Sequence, residues 1–121
     1  MSPHPNLLRT LLIACLLAGV GACSSLDRDA LRSAVGDGPV VMLSTESCGY
    51  CRRLRHDLHQ WGVDFTEIDV ETSTEGRRAY RLVSGRGVPI LLVGDEQIHG
   101  YSPERSRKAL LAAGLVPDRV R

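Results

Sequence analysis

The chain has 121 residues, a length that suits one domain, with 24% charged residues and a formal net charge of +1. No basic stripe or acidic tail runs through it, and a single Phe and a single Trp offer no row of aromatics for base stacking. A nucleic-acid-binding protein is excluded on those grounds.

Met1 to Arg9 is polar with one fixed positive side chain, Arg9, and Thr10 to Ala22 is almost wholly apolar, ending in small residues before Cys23. A charged start, a short apolar run and a small-residue site describe a secretory signal peptide over 1–22. About 13 apolar residues cannot cross a bilayer core as a helix, which takes roughly 20. A buried helix is the alternative, but this run is apolar all round and sits at the terminus. Val20-Gly21-Ala22-Cys23 resembles the bacterial lipobox, and Leu12-Ile13-Ala14-Cys15 matches it only loosely. That resemblance implies lipidation at Cys23, which would become the acylated first residue of the mature chain. Ser24 after it, rather than Asp, points to the outer membrane, with the protein facing the periplasm. Several acyl chains give stable anchoring where one gives only marginal binding.

Of the four cysteines, Cys15 would then leave with the signal and Cys23 would carry lipid. Cys48 and Cys51 remain as thiols, in a compartment where disulfides persist. Residues 23–38 follow as a polar connector with weak helical periodicity at Leu26, Ala30, Leu31, Ala34 and Val35, either a tether or a helix packed on the domain. The domain proper is expected over 39–121. It is near the lower size limit for one stable core, with no internal repeat and no low-complexity tract.

Val40 to Leu43 is a continuous apolar run that reads as a buried strand. After Cys48-Gly49-Tyr50-Cys51 comes an amphipathic helix from Arg52 to Trp61, with Leu54, Leu58 and Trp61 inward and Gly62 as its stop. Val63 to Val70 alternates and predicts a second strand. Thr72 or Ser73 caps a helix from Thr74 to about Val83. Val88 to Val93 predicts a third strand, Gly94-Asp95 a hairpin turn, and Gln97 to His99 a fourth strand. Ser102 as N-cap and Pro103 at the first position open a last helix to about Ala113, ended by Gly114. The order β-α-β-α-β-β-α predicts an α/β fold. Its four-stranded mixed sheet has a right-handed parallel crossover and an antiparallel edge pair.

Two cysteines separated by two residues at a strand-to-helix junction can close a tight disulfide. The first sulfur lies at the helix N-terminus, where free N–H groups and the dipole favour thiolate. Cys48 is therefore the expected nucleophile, and Cys51, more shielded within the helix, the resolving thiol. A zinc site usually needs four ligands, and only one cysteine pair is present. His56 and His59 share a helical face further along and read as solvated surface side chains. A purely structural disulfide over so short a loop stabilises little by chain entropy. Outside redox chemistry, two functions compete. One is a metal-binding lipoprotein holding copper(I) or zinc on Cys48, Cys51 and a histidine; the other is a non-catalytic adaptor.

Val40–Cys51, Gly85-Arg86-Gly87-Val88-Pro89 and Ile98-His99-Gly100-Tyr101-Ser102-Pro103-Glu104 together resemble a glutaredoxin of the thioredoxin-fold superfamily, over roughly 39–113. The resemblance implies a thiol–disulfide oxidoreductase, monomeric, with no bound cofactor. Glutathione would be its co-substrate, and protein disulfides or glutathione-like thiols its partners. It places Pro89 on the family's cis-proline, Val88 on the residue whose backbone pairs with the substrate cysteine, and Gly100 near the glutathione γ-glutamyl group. With these, Gly49, Tyr50 and Tyr101 complete the implied substrate-contacting set. Several positions depart from the family pattern. Thr45 stands where a Lys is usual and Glu46 follows it, and both changes disfavour the thiolate. His99 replaces a glycine, Ser102 an acid and Gly87 a threonine. Gly-Tyr-Ser-Pro-Glu looks more like glutaredoxin-like electron donors served by a reductase. Gly49-Tyr50 is similar to the dipeptide of periplasmic disulfide isomerases. Arg52 sits where a basic residue is common, suited to stabilising thiolate or binding an anionic partner, whereas Arg53 and Arg55 read as solvated helix residues.

Overall fold

The structure, a computed structural model, describes residues 27–117. Within them, 27–35 form a helix (α1), followed by β1 (Val40–Ser44), α2 (Gly49–Gln60), β2 (Thr66–Asp69), α3 (Thr74–Leu82), β3 (Ile90–Val93), β4 (Glu96–His99) and α4 (Pro103–Ala112). The strands form one sheet in the order β2-β1-β3-β4. β1 runs parallel to β2 and antiparallel to β3, and β3 pairs antiparallel with β4. This is the mixed sheet that the element order predicts.

Both central strands are apolar throughout because both sheet faces are covered. Successive side chains on a strand point to opposite faces. Val40, Met42, Leu91 and Val93 pack with Leu54 and Leu58 of α2 and Ala109 and Leu110 of α4. Val41, Leu43, Ile90 and Leu92 pack on the other face with Ala79 and Val83 at α3 and Ala34 of α1. Leu31 and Val35 lie against that second cluster, so residues 27–35 take the packed-helix alternative. The signal peptide expected over 1–22 and the expected lipidation position, Cys23, lie outside the described residues.

Three predicted boundaries shift, each for a backbone reason. Strand β2 begins at Thr66 rather than Val63, because the Val63 N–H closes the end of α2 by donating to Leu58 O at 3.0 Å. Strand β3 begins at Ile90 rather than Val88, because proline offers no N–H to a ladder; the Val88-Pro89 bond is cis. Helix α2 starts three residues earlier than predicted, at Gly49, with Cys48 itself as N-cap. Ser102 takes the N-cap place of α4 without a side-chain cap bond. That helix start rests on Pro103, whose ring presets φ and leaves no orphan N–H at the first position.

The entry to α3 is more constrained. The Asp69 carboxylate accepts from Glu71 N at 2.7 Å and Thr72 N at 2.8 Å, and Ser73 Oγ accepts from Gly76 N at 2.7 Å. These backbone donors, Thr72 first, hold the Asp69 carboxyl below the usual carboxylate range. Helix α3 thereby lies so close to the end of β2 that a Cβ on Gly76 would run into the Asp69 carbonyl. Gly76→Ala is expected to destabilise the domain by about 3 kcal/mol, the scale of overpacking a site whose obstacle is backbone. A urea melt of the variant with an unchanged midpoint would refute that reading.

Candidate active site

The site sits at the end of the sheet where β1 finishes. Cys48 is half-buried at the mouth of α2, and Cys51, one turn in, is fully buried. The two form a disulfide with their Cα atoms 5.2 Å apart. Cys51 N donates to Cys48 Sγ at 3.1 Å, so the capping role at this helix start is taken by a sulfur. The same N–H and the positive end of the helix dipole favour negative charge on Cys48 once the bond is reduced.

The loop before β3 comes in from the other side. Cys48 Sγ lies 3.7 Å from the Val88 carbonyl oxygen, and Pro89 behind it is buried. Gly100 N donates to Pro89 O at 2.9 Å, and Gly100 has φ +79°, a backbone conformation that glycine adopts without strain. Tyr101 follows and stacks on Tyr50, with ring centroids 5.7 Å apart. Cys48, Gly49, Tyr50, Val88, Pro89, Gly100 and Tyr101 are thus gathered from three distant stretches around the half-buried Cys48. Among the described residues no group of three or more His, Cys, Asp or Glu side chains forms a metal-ligand cluster.

This geometry can do one kind of chemistry well. An accessible sulfur at a helix N-terminus attacks, a shielded partner resolves, and a nearby backbone carbonyl can receive an extended chain. A family model described as Glutaredoxin matches residues 40–98. A curated glutaredoxin of Pseudomonas aeruginosa is 35% identical over 82 residues, spanning 62% of this chain and 98% of that protein. The chain belongs to the glutaredoxin family. It is a thiol–disulfide oxidoreductase of thioredoxin-like fold. Among solved structures, a buckwheat glutaredoxin–glutathione complex matches with a TM-score of 0.59 and 22% identity, over 77% of this chain and 94% of that one. A reduced glutaredoxin of Populus tremula x tremuloides matches with a TM-score of 0.57 and 26% identity, over 77% and 92%.

Two features of this glutaredoxin's site escape a reading of the sequence. The first is a groove along α2, about 690 Å³ in volume, lined by Tyr50, Arg52, Arg53, His56, Asp57 and Tyr101. The Tyr101 hydroxyl donates to Asp57 Oδ2 at 2.8 Å across 44 residues of sequence. With Asp57 holding its proton, the Tyr101 hydroxyl ionises above the ordinary phenol range. Arg53 lies 5.4 Å above the Tyr50 ring, a cation–π contact. Helical spacing puts Arg53 and Asp57 on one face, but nothing local brings Tyr101 to them.

The second feature corrects the expectation for Arg55. It is not merely solvated: its Nε donates to Glu67 Oε2 at 2.7 Å while Nη2 reaches Oε1. Ser44 Oγ donates to the same carboxylate at 2.7 Å. The fork ties α2 to β1 and β2 beside the active-site turn. The Arg55 hydrogen bond is the largest effect on the Glu67 carboxyl; it outweighs the opposing effect of partial burial and, with the smaller contribution of Ser44, holds the group below the usual carboxylate range. Because its folded-state pKa is depressed, Glu67 adds stability above the unfolded value. That contribution disappears as pH falls through the folded value. Glu67→Gln is expected to cost about 1 kcal/mol at neutral pH, the upper end for a solvent-screened pair. The difference from the parent should vanish in strong acid. Denaturant midpoints at pH 7 and pH 3 measure this, and a gap that persists or widens in acid would contradict it.

Proposed function

We propose that this glutaredoxin is a lipid-anchored dithiol exchanger of the cell envelope, acting on protein disulfides or glutathione-like thiols. The Cys48 thiolate attacks one sulfur of a substrate disulfide, forming a mixed disulfide and releasing the other sulfur as a thiolate that takes up a proton. The Cys51 thiolate, formed by loss of its proton to solvent, then attacks the Cys48 sulfur, closing Cys48–Cys51 and releasing the second substrate thiol. The substrate gains two electrons and the protein loses two; an external dithiol or glutathione pool restores the reduced pair. The observation that carries this is the unequal exposure of the two sulfurs, one half-buried at a helix mouth and one fully buried behind it. Val88, Pro89 and Gly100 supply the backbone wall on which the substrate chain would lie, with Tyr50 and Tyr101 beside it.

Family membership supports glutathione as a co-substrate. Thr45, His99 and Ser102 at positions that usually meet it predict weaker use of it than of protein thiols. The envelope setting rests on the sequence of 1–23, and the direction of the chain is compatible with it. Arg28 pairs with Asp95 in the β3–β4 turn at 3.6 Å, and Gly94 N donates to Pro39 O at 3.0 Å. These residues lie at the end of the sheet opposite Cys48, a placement compatible with an anchor N-terminal to them. Among the described residues no helix is long and apolar enough to cross one. Expression of the full chain followed by fractionation and mass spectrometry tests the setting. An acylated N-terminal Cys23 is the expected result, and a chain recovered from the cytosol with 1–22 intact would overturn it.

A further inference from the structure

We propose that the groove along α2 receives an acidic segment of polypeptide flanking the target cysteine of a protein substrate. This rests on Cys48 as the attacking sulfur and adds the class of substrate it selects. The groove begins at Gly49, next to Cys48, and continues to Asp57. Eight helical steps cover about 12 Å of axis, the span of about four extended residues. Glutathione has a single residue on each side of its cysteine, so it cannot fill the far end. The occupant is therefore a longer chain.

Charge sets its chemistry. Neither Arg52 nor Arg53 pairs with a carboxylate among the described residues, where the ion pairs are Arg28–Asp95 and Arg55–Glu67. Arg55 is thus neutralised on its own side of the helix, while Arg52 and Arg53 carry charge no carboxylate offsets, Arg53 lying over the Tyr50 ring. Asp57 is the opposing acid, and its carboxylate is already engaged by Tyr101. Two cations against one anion leave the groove positive. The Arg52 guanidinium lies 3.7 Å from where a Gly49 side chain would begin, so positive charge reaches the residue that follows Cys48. Tyr50, 57% exposed, is an aromatic floor against which a peptide backbone can pack.

The test uses the full chain in neutral detergent and peptides of about ten residues, each carrying one cysteine as a mixed disulfide with 2-mercaptoethanol. One has Asp and Glu within four residues of the cysteine, one has Ser and Gln, one has Lys. Reduction of the acidic peptide is expected to be about tenfold faster than that of the lysine peptide at low ionic strength. The gap should fall to less than about twofold in 0.5 M salt. Arg53→Glu, an exposed position whose folding is checked by its melting curve, should reverse the order, and Arg32→Ser at the far end of the molecule should leave it. Equal rates for acidic and lysine peptides at low salt, or a preference that survives Arg53→Glu, would overturn the proposal while leaving Cys48 chemistry standing. Loss of exchange with all three peptides would overturn both.

Discussion

Replacing Cys48 with Ser is expected to remove thiol–disulfide exchange, lowering the rate by about a thousandfold or more, because a hydroxyl at neutral pH is neither an anion nor a soft nucleophile. Cys51→Ser should behave differently. Its Cys48 can still attack, but no second thiol resolves the product, so a mixed disulfide with the substrate accumulates. The contrast follows from the positions of the two sulfurs: Cys48 takes the helix cap and faces Val88, whereas Cys51 is sealed below the first turn. Single-turnover reduction of a labelled disulfide, with non-reducing mass spectrometry of both variants, reads both effects. If Cys48→Ser retains exchange, or if the mixed disulfide accumulates on Cys51 instead, the assignment of roles is wrong.

Leu91→Ala is expected to cost about 4 kcal/mol, within the range for deleting a fully buried leucine from a core that cannot collapse around the gap. Leu91 is fully buried in the central strand β3, opposite Met42 of β1 and Ile98 of β4, with strands on both sides and α2 and α4 across its face. The flanking strands cannot move in without breaking a ladder. A domain of this size holds roughly 5–13 kcal/mol in total, so the variant keeps little reserve. Its melting temperature should fall by about 15–30 °C, at 4–8 °C per kcal/mol for domains of this length. A drop of only a few degrees would mean that the sheet repacks, and that the site it positions is less rigid than the close gathering of Val88, Pro89 and Gly100 around Cys48 implies.

These two variants act on different levels. The first removes a reacting atom from an otherwise intact frame, and the second loosens the frame and acts on chemistry only through it. Gly76→Ala and Glu67→Gln fall between them, since they touch the contacts that seat α3 and α2 near the active-site turn. Activity measured at 15 °C, where each variant is still folded, separates the effects. Only Cys48→Ser should lose exchange under those conditions.

Much of this glutaredoxin was legible before any coordinates. The apolar runs at Val40–Leu43 and Val88–Val93 read as strands, the second two residues too long at its start, and Gly94-Asp95 reads as the hairpin turn between strands. Leu54 and Leu58 lie at a spacing that marks a helix with one buried side. Cys48 and Cys51, with two residues between them where a strand meets a helix, favour a redox pair over a metal site or a structural disulfide. All of these are short-range signals: periodicity, turn chemistry and the reach of neighbouring side chains.

What the sequence could not reveal depends on pairs far apart in the chain. Strand β2 is shorter than its alternation suggests because the Val63 N–H is used to close α2, a competition for one donor that no hydropathy pattern records. Arg55 reads as a solvated helix residue until β2 brings Glu67 to it. The groove beside Cys48 exists only because the sheet order β2-β1-β3-β4 carries Tyr101 across to Tyr50 and Asp57. The chain thus specifies its reactive pair locally, through the cap of a single helix. The surroundings that choose a substrate are tertiary, because a hydrogen bond spanning 44 residues forms only after the strands between have paired.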